Sequence, residues 1–179
     1  MANIPYLFQE VAPSTEPVTL TEAKLHLRVD SADEDTLITR LITVAREAAE
    51  KYTKRSLITQ TWKLVYDGYA PSEVFLPRGP IQSVTSAKII ARDNTETTIA
   101  TNTYYLNSGK EKVVFDAAPF GHTVEIIYVA GYGDASNVPD SIKQGMLTHI
   151  SHLYESRSAD LSLPKNSIPL YDAYRVIKL

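Results

Sequence analysis

Between Leu37 and Tyr66 the hydrophobic period of the chain changes, and that change limits the folds open to it. Leu37, Ile38, Leu41, Ile42, Ala45, Ala48, Ala49 and Tyr52 recur at three- and four-residue spacings. This places them along one face of a helix with 3.6 residues per turn. A few residues later Trp62, Leu64 and Tyr66 alternate with Thr61, Lys63 and Val65, the period of a half-buried strand. A chain that segregates a long helical stripe from a run of alternating segments belongs to the α+β class.

Helix signals bracket the alternating region. Thr19-Leu20-Thr21-Glu22 has the spacing of a capping box, and Leu20, Ala23 and Leu27 then line one face of a short helix ending near Arg28. Ser31-Ala32-Asp33-Glu34 repeats the signal. Asp33, Glu34 and Asp35 suit the positive end of a second helix, while Lys51, Lys54 and Arg55 suit its negative end near residue 54. The small side chains of Ala45, Ala48 and Ala49, between Leu41 and Tyr52, let another helix approach closely, so these five are the helix-packing candidates. Val138-Pro139-Asp140-Ser141 opens a last helix with Ile142, Met146, Leu147, Ile150, Leu153 and Tyr154 on one stripe, ending before Ser158.

After Gln60, short segments of strand character follow at Val74–Leu76, Ile81–Arg92, Tyr104–Asn107, Lys112–Asp116 and Thr123–Val129. Turn residues separate them at Asp67-Gly68, Gly79-Pro80, Asp93-Asn94, Asn107-Ser108-Gly109 and Pro119-Phe120-Gly121, the pattern of an antiparallel sheet or small barrel. The expected organisation is an extended arm over 1–18, which contains Pro5, Pro13 and Pro17. A helical core follows over 19–56 and 138–157, with a β-rich insertion over 57–133 and a C-terminal tail over 158–179.

Residue chemistry argues against catalysis. The chain has no cysteine, which removes thiolate metal sites, disulfides and a Cys nucleophile together. His149 and His152 share a helix face, but nothing nearby completes a ligand set. No G-x-S-x-G elbow is present. The acids Asp30, Asp33, Glu34 and Asp35 lack the glycine and distal glutamate of a calcium loop, and Gly131-x-Gly133 lacks the lysine of a phosphate loop. No cofactor, metal or catalytic residue is therefore expected. The apolar runs are too short to cross a bilayer, and the N-terminus lacks the pattern of a signal peptide. A net charge of −3 over 179 residues argues against a protein whose main task is gripping nucleic-acid phosphate.

Eleven tyrosines against four phenylalanines is a composition suited to half-wet interfaces. Beyond Pro164 and Pro169 the tail carries Leu170, Tyr171, Tyr174, Arg175, Val176, Ile177 and Leu179. Together with Tyr154 and Arg157 these are the candidate docking residues. Hanging free, they would expose a sizeable apolar patch, so the tail either folds back on the domain or docks on another subunit.

Several blocks resemble one protein family. They are Val18-Thr19-Leu20-Thr21-Glu22-Ala23-Lys24-Leu25-His26-Leu27-Arg28-Val29-Asp30, Tyr52-Thr53-Lys54-Arg55-Ser56-Leu57-Ile58-Thr59-Gln60-Thr61-Trp62, Leu76-Pro77-Arg78-Gly79-Pro80-Ile81-Gln82-Ser83-Val84, Tyr128-Val129-Ala130-Gly131-Tyr132-Gly133, and the stretch from Val138-Pro139 to Arg157. In that order they resemble head–tail connector (adaptor) proteins of tailed bacteriophages. The resemblance implies a structural virion protein of the neck, assembled in the host cytoplasm, that forms a ring, commonly twelve-fold, below the portal. It implies contacts with the portal protein through the C-terminal region, with neighbouring copies, and with a tail-side neck or stopper protein. DNA would pass through the lumen without sequence readout. Two other readings remain open at this point: a small hydrolase with a spatially assembled His and carboxylate, and a β-domain that binds a ligand through an aromatic platform.

Overall fold

The computed structural model describes residues 4–156 and 162–177. The chain divides into two compact units, one comprising Met1–Pro13 and Thr59–Gly131, the other Ser14–Ile58 and Tyr132–Leu179. Elements of both classes, helices in one unit and antiparallel sheets in the other, make the protein α+β.

The β unit contains strands β1 (Tyr6–Val11), β2 (Gln60–Tyr69), β3 (Glu73–Phe75), β4 (Ile81–Ile90), β5 (Glu96–Thr98), β6 (Tyr104–Leu106), β7 (Lys112–Phe115) and β8 (Phe120–Ala130). They form a five-stranded sheet ordered β1-β2-β8-β4-β5 and a three-stranded sheet ordered β3-β7-β6. The alternation starting at Gln60 has its expected result. Trp62, Leu64 and Tyr66 of β2, with Val124, Ile126 and Tyr128 of β8, face one side. There they meet Val74, Val113 and Phe115 from the smaller sheet in a single core. Burial of each large apolar side chain contributes roughly 1.5–3 kcal/mol.

Three features of this unit depart from the sequence reading. The segment expected as an extended arm supplies strand β1, whose Leu7 pairs with Leu64 and joins the core, while Tyr6 and Phe8 lie outward opposite Val65 and Lys63. Lys63 reaches Glu10 at 2.6 Å and lies over the Phe8 ring, so β1 is held by side chains as well as by the ladder. Strand β5 is exposed throughout and carries no hydrophobic pattern to betray it. Asp67-Gly68 and Phe120-Gly121, expected as turns, already belong to β2, at a bulge, and to β8. A side chain at Gly121 would fall 2.3 Å from Ile89 Cγ2, so glycine here permits close approach to β4 and does not serve a turn.

The helical unit holds α1 (Leu20–Leu27), α2 (Asp35–Thr53), α3 (Asp140–Ser156) and a short α4 (Ile168–Asp172). The last of these was not expected. Thr19 caps α1 with the full reciprocal box: its hydroxyl accepts from the Glu22 amide at 3.1 Å, and Glu22 takes the Thr19 amide at 2.7 Å. Those hydrogen bonds to Thr19 hold the Glu22 carboxyl below its usual pKa. Ile38, Ile42, Ala45 and Ala49 of α2 pack with Ile142, Met146 and Ile150 of α3. The two helices run antiparallel, because Tyr154 near the end of α3 donates to Glu34 at the start of α2 (2.6 Å).

Candidate functional site

The C-terminal segment returns onto the helical unit and is seated mainly by two tyrosines. Tyr171 is fully buried. Its ring occupies the space that a side chain at Gly145 of α3 would need: a Cβ there would lie 2.6 Å from Tyr171 Cε1. A tilted contact with the Tyr52 ring, 6.1 Å between centroids, closes the other side. The Tyr171 hydroxyl is buried with no hydrogen-bond partner among the described residues, and burial drives its pKa far above the usual phenol value. Tyr174 is anchored by polar contacts: Ser141 Oγ donates to its hydroxyl at 3.0 Å, and Arg55 Nε donates to its carbonyl at 2.6 Å. The Val176 amide donates to the Thr53 carbonyl at 3.0 Å, satisfying one of the acceptors that the C-terminus of α2 leaves open.

Around this seat Tyr52 donates its hydroxyl to Asp172 at 2.5 Å, and that hydrogen bond raises the Tyr52 pKa. The Arg175 guanidinium lies 4.9 Å from the centre of the Tyr52 ring, an arrangement of cation over π-face. Ala48, Lys51, Tyr52, Lys54, Leu163 and Arg175 line an adjoining groove of about 370 Å³.

The candidate docking residues therefore have different fates. Tyr171 belongs to the core of its own chain, and Leu170, Tyr174 and Val176 are half-buried, whereas Arg175 and Ile177 remain exposed. Tyr154 sits at the opposite end of α2, bonded to Glu34, and does not join the tail. Arg157 and Leu179 lie outside the described residues. Among the helix-packing candidates Ala45 and Ala49 are fully buried, Leu41 and Tyr52 pack partly against the same core, and Ala48, half-buried, lines the groove.

Other groups with chemical potential are used structurally. Arg46 and Glu50, each 7% exposed, form an ion pair at 3.1 Å. Arg46 also donates to Glu16 at 2.8 Å, and Glu50 accepts the Leu57 amide at 2.8 Å. The network ties the chain entering α1 and the chain leaving α2 to one point. His149 is fully buried on α3. Burial foremost, and then the neighbouring His152, hold its pKa below the usual histidine value, with the Ser162 backbone pulling weakly the other way. Among the described residues no three His, Asp or Glu side chains converge as metal ligands, and no helix is long and apolar enough to cross a membrane.

Sequence reasoning did not find Gly145, Asp172 or the Arg46–Glu50 pair. A glycine inside an amphipathic helix was the available signal for Gly145, since an interior glycine costs helix stability and calls for a packing reason. The charge pair had none, because i,i+4 Arg–Glu spacing is usual on solvated helix faces.

A sequence profile of a family described as "Head completion protein" matches residues 16–163. No curated protein matches the chain in sequence. Among solved structures, the fold is similar to a chain in the neck of an empty gene transfer agent particle computed with C6 symmetry: TM-score 0.82, 23% identity, covering 97% of each chain. A chain of the native gene transfer agent virion gives a TM-score of 0.81 at 23% identity, covering 97% of this chain and 96% of that one. One from the native neck computed with C12 symmetry gives 0.76 at 21% identity, covering 97% of each. The likeness spans both units, so the β-rich part is as much a feature of this fold as the helices. With a profile match that begins before α1 and ends beyond α3, the chain belongs to the head completion protein family.

Proposed function

We propose that the protein is a structural head–tail connector of a phage-like particle, located in the neck and forming a ring against the portal protein. The family match over residues 16–163 carries this reading. The similarity of nearly the whole fold to chains from neck structures with C6 and C12 symmetry agrees with it. The role is mechanical, and its partners are the portal protein, neighbouring copies, a tail-side neck or stopper protein, and DNA passing through the lumen. The internal chemistry suits such a role: the buried charges are paired with one another, and the large aromatic residues of the tail serve packing. Virion incorporation follows assembly in the host cytoplasm.

Ile177 and Arg175, exposed beside the seated tail, are the tail residues best placed to meet the portal. Co-expression with the portal protein of the same genome, followed by electron microscopy, tests the reading. A ring of this protein on one end of the portal is expected; portal rings that emerge bare would overturn it.

A further inference from the structure

Charge on the helical unit is sorted along α2. The turn before it and its first residue carry Asp30, Asp33, Glu34 and Asp35 against the cations Arg28 and Lys24. At its other end Lys51, Lys54 and Arg55, with Arg175 from the tail, outnumber the exposed acids Glu47 and Asp172. Favourable interaction with the helix dipole accounts for the sign at each end. It does not account for the surface found there.

At the basic end the 370 Å³ groove combines an apolar lining of Ala48, Tyr52 and Leu163 with the cations Lys51, Lys54 and Arg175. Among the described residues neither Lys51 nor Lys54 has a carboxylate within ion-pairing distance. At the acidic end Asp35 is held by Lys24 at 2.6 Å, and Glu34 takes the Tyr154 hydroxyl. Asp30 and Asp33 stay exposed, and Asp33 is bonded to its neighbour Ser31. Leu25, before this turn, is 81% exposed, and Leu37, after it, is 45% exposed. Each end thus pairs uncompensated charge with uncovered apolar surface, and the signs are opposite.

One copy does not neutralise itself. The 19 residues of α2 span about 28 Å at 1.5 Å per residue, several times the Debye length of about 8 Å at physiological salt. A second copy placed head to tail does bring the two ends together. We infer that the acidic α1–α2 turn of one copy docks on the basic groove of the next, Asp30 and Asp33 against Lys51 and Lys54, with the exposed leucines against the apolar lining. A contact between two different surfaces repeats around an axis and closes into a ring when the rotation permits. The ring itself rests on the connector reading; the pairing of these two surfaces rests on their charge and apolar complementarity.

The absence of cysteine from the chain makes the test direct. Ala32→Cys marks the acidic turn and Ala48→Cys the groove, and both keep every charge. Full-length chains carrying one or the other, distinguished by mass, are mixed and oxidised mildly. Mixed disulfide dimers, with one chain of each kind, are expected to exceed their statistical share over same-site dimers. That excess is expected to vanish in about 1 M salt, where the Debye length falls to about 3 Å. Adding Lys51→Glu and Lys54→Glu to the Ala48→Cys chain is expected to abolish the excess, and adding Asp30→Lys and Asp33→Lys to the Ala32→Cys chain to restore it. Mixed dimers at or below the statistical share, an excess indifferent to salt, or charge reversal without effect would each overturn the pairing; the salt series decides it with no charge variant at all. A ring on the portal without mixed-dimer excess would sink this contact and leave the connector reading standing. An excess without portal binding would do the reverse.

Discussion

Tyr171 and Gly145 form one packing unit read from two distant places in the chain. A methyl at 145 needs the space of the Tyr171 ring, so Gly145→Ala must push the ring out or shift α4. Overpacking of this kind costs about 1–3 kcal/mol. Chemical denaturation is expected to show that loss, with a tail more open to proteolysis. Tyr171→Phe removes a buried hydroxyl that has no partner among the described residues and keeps the ring, so stability is expected to hold or rise, by about 1 kcal/mol. His149 gives a second residue-scale prediction. Burial lowers its folded-state pKa below the ordinary 6.5, so the unfolded chain binds the proton more readily. Stability is therefore full above about pH 6.5 and declines as pH falls through the window between the unfolded and folded values. Melting temperature measured from pH 7.5 to 5 is expected to fall in that window, with the slope reduced in His149→Leu. Equal slopes in the two proteins would show that other groups set the acid response.

At the scale of elements, the helices differ in what holds them. Helix α2 is long and buries Ile38, Ile42, Ala45 and Ala49 along one face, so tertiary contact supports it. Helix α1 has eight residues and one fully buried side chain, Ala23, too short to persist on propensity alone. Its capping box therefore matters more. Thr19→Ala is expected to cost about 1 kcal/mol, seen as faster amide exchange over Leu20–Leu27 with little change in β2 or β8. Strand β1 and helix α4 were the elements least legible beforehand. Both are short, β1 follows Pro5 and α4 holds Pro169 in its first turn, and both are stabilised by residues far away in sequence: β1 by Leu64 and Lys63, α4 by Gly145 and Tyr52. The cores of strands β2 and β8 and the helices α2 and α3 were legible because each carries its own local signal within one continuous stretch of chain.

At the scale of the whole molecule, a connector must present different surfaces to different neighbours. The opposite charges at the two ends of α2, the exposed Ile177 at the end of the seated tail, and the outward Tyr6 and Phe8 of β1 are surfaces of this kind. A heterologous contact repeated around an axis sets the copy number through its rotation angle, not through its strength. Native mass spectrometry of the portal-bound assembly is expected to count twelve copies. Any other closed number would correct the stoichiometry without touching the connector role, whereas an open helical filament would show that the contact found in solution is not the one used in the particle.

The α+β class, the capping box at Thr19 and the face of α2 that carries Ile38, Ile42, Ala45 and Ala49 were all determined by the sequence by itself, because each rests on interactions among residues a few positions apart. Which way the tail turns was not. The apolar content of residues 170–177 required burial somewhere, but local pattern does not distinguish a chain's own surface from a partner's. That choice was decided by the cleft at Gly145 and the carbonyl of Thr53, groups far from the tail in sequence, which meet it only once α2 and α3 have packed.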